Sequence, residues 1–163
     1  FLGTWMPERG PFMLELIRRG VPLTLRGAMW HKAPEWSVLQ PYWKGGSIGG
    51  DDYALAIQCT RINLGLLSKG NRDLHTTRSL EIPSLGGLLC AERTSEHMSM
   101  YQEHQEAVFW RDAAECAELC QALLRDGDRR QALARNGHAR YLRNRHGNEH
   151  IMNQLLDEAG ARA

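Results

Sequence analysis

The middle of the chain carries the succession that most restricts its fold. An apolar run, Ile62-Asn63-Leu64-Gly65-Leu66-Leu67, is short enough for a strand; a polar loop from Asn71, a short helix and the apolar stretch from Leu88 to Ala91 follow it. The loop therefore leaves the carboxyl end of one strand and feeds a helix, which is where open α/β sheets bind ligands. Thr76 or Thr77 serves as N-cap. The free backbone N–H groups of the first helical turn, with Arg72 and Arg78 nearby, suit a phosphate. Asp73 and Glu81 add acceptors for hydroxyl groups.

The flanking sequence extends the pattern. Phe1 to Trp5 reads as a buried strand, Pro11 to Arg19 as a helix closed by Gly20, and Val21 to Gly27 as a second strand. A strand-helix-strand unit implies parallel pairing through a right-handed crossover. Ala28 to Gly50 is expected to be mostly loop, with a short strand near Ile48 and with Trp30, Trp36, Tyr42 and Trp43 as anchors. Asp51 to Thr60 reads as an N-capped helix, Ser95 as the cap of a short one, and Glu106 to Trp110 as the last strand. Beyond it come helices from Asp112 or Ala113 to about Leu124, from Arg129 to Arg143 and from Glu149 to Ala159. The expected fold is α/β, a Rossmann-like parallel sheet flanked by helices, with a helical carboxy-terminal tail.

Composition narrows the partners. A chain of 163 residues defaults to one domain with a real core, and a formal charge of +1 excludes a nucleic-acid partner held by bulk electrostatics. No apolar run reaches the roughly 18 residues of a membrane span, and no basic-then-apolar leader opens the chain. Cys59, Cys90, Cys116 and Cys120 form no C-x-x-C pair and read as buried free thiols, which places the protein in a reducing cytoplasm. The chain starts at Phe1 inside a strand, and is read as a piece of a longer protein.

Two short words in the sequence carry a resemblance. Gly3, Thr4, Trp5 and Arg9 form Gly-Thr-Trp-x-x-x-Arg, and Arg72, Asp73, Thr76, Arg78, Glu81, Pro83 and Gly86 form Arg-Asp-x-x-Thr-x-Arg-x-x-Glu-x-Pro-x-x-Gly. Glu106 to Phe109, then Ala134, Gly137, Arg140 and His146, support them over nearly the whole chain. The chain resembles the carboxy-terminal, donor-binding domain of group 1 glycosyltransferases of the GT-B fold, in the spore-maturation-protein-like branch.

The resemblance implies a nucleotide-sugar donor as substrate, no cofactor and no metal, and an amino-terminal acceptor domain as the missing partner. It implies a transferase as the full-length protein and an inactive fragment alone. It places Glu81 on the ribose hydroxyls and Asp73, as the catalytic acid, at the sugar. Asp73 stands where the wider group has a glutamate one methylene longer, and Pro83 interrupts a segment that group keeps helical. Arg9 is aimed at the diphosphate by motif; Lys44 and Arg78 are assigned there by their charge. The alternative is a noncatalytic nucleotide-binding or protein-interaction domain of the same fold.

Other signals read as structural. His75 is a solvent-facing loop residue, Gly86-Gly87 a helix cap entering a strand, and the arginines from Arg125 to Arg145 a solvated face. Cys116 and Cys120 read as core packing, because no further Cys or His accompanies them in sequence. His146-Gly147-Asn148-Glu149-His150 matches a zinc-peptidase word, but it lacks a third ligand and is not assigned to metal.

Overall fold

The computed structural model describes residues 1–145 and 147–160, so His146 of the H-x-x-E-H word lies outside the described residues. Three parallel strands, β1 (Asn63–Gly65), β2 (Leu89–Glu92) and β3 (Val108–Trp110), pair in the spatial order β1-β2-β3. Every strand residue except Glu92 is buried, which is why each strand reads as a short apolar run rather than an alternation.

The period of two along β2 sorts the core into two faces. Cys90 points to one face, where Leu64 and Val108 meet Met13 and Leu16 of α1 (Arg9–Arg18) and Cys116, Cys120 and Leu123 of α6 (Ala113–Arg125). Leu89 and Ala91 point to the other. There they meet Ile57 of α3 (Gly50–Cys59), Ile82 of α4 (Thr77–Ser84) and Tyr101, which follows α5 (Ser95–Met100). Helix α2 (Trp36–Leu39) lies between α1 and α3 in the chain, α7 (Gly127–Asn144) packs outside α4, and α8 (Asn148–Gly160) ends the described chain. The architecture is the expected Rossmann-like α/β sheet with carboxy-terminal helices. No helix among the described residues is long and apolar enough to cross a membrane.

The first two expected strands pair as expected but less extensively. Leu2 bridges Arg26 and Leu25 bridges Trp43, both in parallel, and the N–H groups of Gly3, Leu25 and Lys44 bond across these segments at 2.8–2.9 Å. Val21, Leu23 and Leu25 are buried while Pro22 and Thr24 are exposed, so the alternation is present. A cavity of about 320 Å³ separates Val21–Thr24 from Thr60–Leu64, and pairing is confined to the carboxyl ends. The third extended segment passes through Trp43, not Ile48, and the preceding loop contains α2 and two 3-10 turns.

Several local expectations shift. Thr94 rather than Ser95 caps α5, its hydroxyl accepting from the His97 N–H at 3.1 Å. Cys59 is exposed at the end of α3, unlike the other three thiols. The Arg125–Arg145 face is only partly solvated: Arg140 donates to Met100 O at 3.1 Å, Arg143 to the buried Glu106 at 2.9 Å, and Arg130 to Leu123 O at 2.9 Å.

Pro83 does not break its helix; it sits in the last turn of α4. Proline cannot donate to the carbonyl four residues back, which is Ser79 O. The Tyr101 hydroxyl donates to that oxygen instead, at 2.8 Å and out of contact with water. The helix then stops in a Schellman motif: Gly87 N–H reaches Ile82 O at 2.9 Å, Gly86 N–H reaches Pro83 O at 3.0 Å, and Gly86 adopts φ +77°. Tyr101→Phe leaves a buried carbonyl unpaired and should cost about 1–3 kcal/mol in urea unfolding. Adding Pro83→Ala, which restores an N–H to Ser79 O, should recover part of the loss; a purely additive double variant would show that Tyr101 does not act through this carbonyl.

Candidate functional site

The carboxyl ends of the extended segments converge on a small pocket. Gly3 and Thr4 end the first segment, Arg26 and Gly27 the second, and Tyr53 of α3 and Arg78 of α4 close the side. Gly27 is required there: at φ +139° a Cβ would fall 2.0 Å from Gly3 O. Two indoles hold this crest, Trp30 Nε1 donating to Gly3 O at 2.9 Å and Trp43 Nε1 to Gly27 O at 3.1 Å. The aromatic loop residues are thus anchors, and what they anchor is the rim of the pocket.

Glu81 is linked to that rim through a three-residue cluster. Tyr53 OH donates to Glu81 Oε2 at 2.8 Å, and Arg78 NH1 donates both to Glu81 Oε2 at 2.5 Å and to Tyr53 OH at 2.8 Å. The Arg78 guanidinium also lies 4.6 Å from the Tyr53 ring centroid, a cation–π contact. Burial, then the hydrogen bond to Glu81, raises the Tyr53 phenol above its ordinary range, so it stays protonated and donating. Glu81 Oε1 takes no hydrogen bond among the described residues, and the Glu81 side chain is 41% exposed. One carboxylate oxygen therefore orients Tyr53 and Arg78 while the other is left without a hydrogen bond among the described residues.

Arg9 is 7% exposed and spans two loops, with NH1 on Thr4 O at 2.7 Å and NH2 on Leu66 O at 3.3 Å. Its Nε is buried and has no hydrogen-bond partner among the described residues. Burial lowers its pKa, while the charge of Glu8 raises it, that of Arg78 lowers it and that of Asp73 raises it. A buried cation of this kind is screened less by water than one on the surface.

The other expected residues are placed as follows. Thr76 is the N-cap of α4 and Thr77 its first residue, with Thr77 exposed. Asp73 is half-buried in the loop before them. Arg72 is exposed, in a left-handed conformation at φ +56°. Lys44 is exposed, and its ammonium donates to Pro41 O at 3.0 Å, within its own turn. His75, also exposed, pairs with Glu96.

Three residues had no site role in the sequence. Arg26 was legible only as the end of the second strand, and Tyr53 as a packing position on α3. His97, fully buried, lies behind the loop. Its Nδ1 is 2.6 Å from Glu92 O, which can only accept, so Nδ1 carries the proton and Nε2 accepts from Ser79 Oγ at 2.7 Å. Ser79 Oγ in turn accepts the Thr76 N–H at 3.2 Å, fixing the start of α4. The His97 ring stacks on Phe109 at 5.5 Å.

The larger cavity, lined by Arg61 among mostly apolar residues, is of ligand size but lies at the amino ends of the extended segments, whereas open α/β sheets bind ligands at the carboxyl ends. The crest pocket holds about 80 Å³, room for a phosphate or part of a sugar.

Burial lowers the His97 pKa below its ordinary 6.5. Above that value both folded and unfolded states hold it neutral, and its contribution to stability is complete; as pH falls below it, the unfolded state takes the proton first and stability is lost. Urea midpoints from about pH 7.5 down to 5 should therefore fall more steeply for wild type than for His97→Gln, and parallel curves would contradict this placement of His97.

None of the curated proteins compared with the chain matches it. A family described as glycosyl transferase-like matches residues 9–157, nearly the full length, and the chain belongs to that family.

Proposed function

We propose that the chain is the donor-binding half of a GT-B glycosyltransferase of the spore-maturation-protein-like branch, which moves a sugar from a nucleoside diphosphate to an acceptor. Membership in the glycosyl transferase-like family makes the general chemistry sugar transfer. The observation that carries the finer reading is the Glu81–Tyr53–Arg78 cluster at the rim of a pocket at the sheet's carboxyl ends.

In this reading Glu81 Oε1 accepts from the ribose hydroxyls, while Oε2 keeps Arg78 and Tyr53 turned toward the pocket. Arg9, Arg78 and the first-turn N–H groups of α4 face the diphosphate. Negative charge accumulates there as the sugar–phosphate bond breaks, and fixed cations and dipoles stabilise it most in the transition state. Asp73 faces the sugar. Arg72, Thr76 and Thr77 line the loop that receives the phosphates, and Lys44 is a further cation that would have to leave Pro41 O to reach them. No cofactor or metal is assigned a step. A pocket of about 80 Å³ takes only part of a nucleotide, so the cleft is completed by an amino-terminal acceptor domain facing this one. Its free thiols suit a reducing cytoplasm.

Thermal unfolding with a panel of nucleoside diphosphates and their sugars tests the reading. A ligand at about a hundred times its Kd should stabilise by about 2.7 kcal/mol. Glu81→Ala removes a part-buried ion pair and the acceptor of the Tyr53 hydroxyl, and should cost about 1–3 kcal/mol of stability by itself, yet abolish most of the ligand-induced shift. An unchanged shift would remove Glu81 from the ribose, and no shift with any nucleotide would overturn the donor site. Donor binding without transfer by the full-length protein would instead favour a noncatalytic domain.

A further inference from the structure

Three of the four cysteines meet in the core. Cys116 and Cys120 lie one turn apart on α6, and Cys90 faces them from β2, twenty-six residues before Cys116 in the chain. The three sulfurs all lie within 4.8 Å of one another. All three residues are buried, at 0%, 0% and 2% exposure for Cys90, Cys116 and Cys120. The premise that no other ligating side chain accompanies Cys116 and Cys120 therefore fails in space, because the sheet supplies the third thiol.

We propose that Cys90, Cys116 and Cys120 form a three-sulfur site for a soft, thiophilic d10 metal ion, with Cu(I) as its probe. Thiolates select soft ions, whereas zinc in structural sites takes four ligands. Among the described residues only these three sulfurs group here. A metal–sulfur bond of about 2.3 Å puts the sulfurs of a trigonal site roughly 4 Å apart. Closing from 4.8 Å takes movements of less than about 1 Å per sulfur, within the reach of small side-chain rotations on a fixed backbone.

Access fits the same site. Cys120 and Leu124 line the cavity of about 320 Å³, so one sulfur of the buried trio borders a space that an ion can enter. Binding forms metal–sulfur bonds, each coordinating thiol that ionises gives its proton to solvent, and no electron is transferred.

The site is independent of the donor pocket and is tested without any sugar or nucleotide. Reduced protein is titrated anaerobically with Cu(I) against a chromophoric Cu(I) chelator. One equivalent per chain should be withheld, with a sulfur-to-copper charge-transfer band and a raised Tm. Cys120→Ser should weaken retention at least tenfold, and Cys59→Ser should leave it unchanged. Alkylation read by mass spectrometry covers the case of an unfolded variant: in wild type, bound Cu(I) should protect Cys90, Cys116 and Cys120 from modification and leave Cys59 reactive. Loss of all copper to the chelator, full retention by folded Cys120→Ser, or protection of Cys59 alone would overturn the proposal.

Discussion

Ser79 is the residue through which the candidate site is joined to the rest of the fold. Its hydroxyl bridges the buried His97 ring and the N–H of Thr76, and its carbonyl takes the Tyr101 hydroxyl. These contacts register α4 against the turn and helix that follow β2. Arg78 immediately precedes Ser79 and Glu81 lies two positions after it on that helix, so their place at the crest follows from where Ser79 is held. The network is costly to leave half-made, because its members are buried and water cannot replace a missing partner.

The crest itself is fixed by side chains more than by sheet pairing. The first three extended segments share only single bridges, yet their carbonyls at Gly3, Thr4 and Gly27 are taken by Trp30, Arg9 and Trp43. Such anchoring leaves the outer edges of the turn residues open while denying them freedom to move. Arg9 ties the Thr4 turn to the segment after β1 and brings a buried positive charge next to that turn. Preorganised charge of this kind needs no rearrangement when a ligand's charge develops.

The parts of the fold legible in the sequence were those set by local chemistry. Gly20 and Gly86 end helices with positive φ, Asp112 caps α6 through the Glu115 N–H, and the runs at β1, β2 and β3 are buried on both faces. Pro83 misleads because its missing N–H reads as a helix break, and only Tyr101, eighteen residues on, supplies the replacement donor. The strand near Ile48 fails for a related reason: aromatic and glycine-rich sequence has no clear period, and the segment that pairs was chosen by where Leu25 offers its N–H and C=O.

By itself, the sequence determined the order of elements, their caps and the spacing of Asp73 and Glu81 about the start of α4, since turns, caps and hydrophobic periods act between near neighbours. The tertiary structure alone decided that Tyr53 and Arg26 join that site, that His97 sits behind it, and that Cys90 meets Cys116 and Cys120. Those meetings depend on how β2 packs between helices distant in the chain, and long-range packing leaves no periodic trace in the residues it brings together.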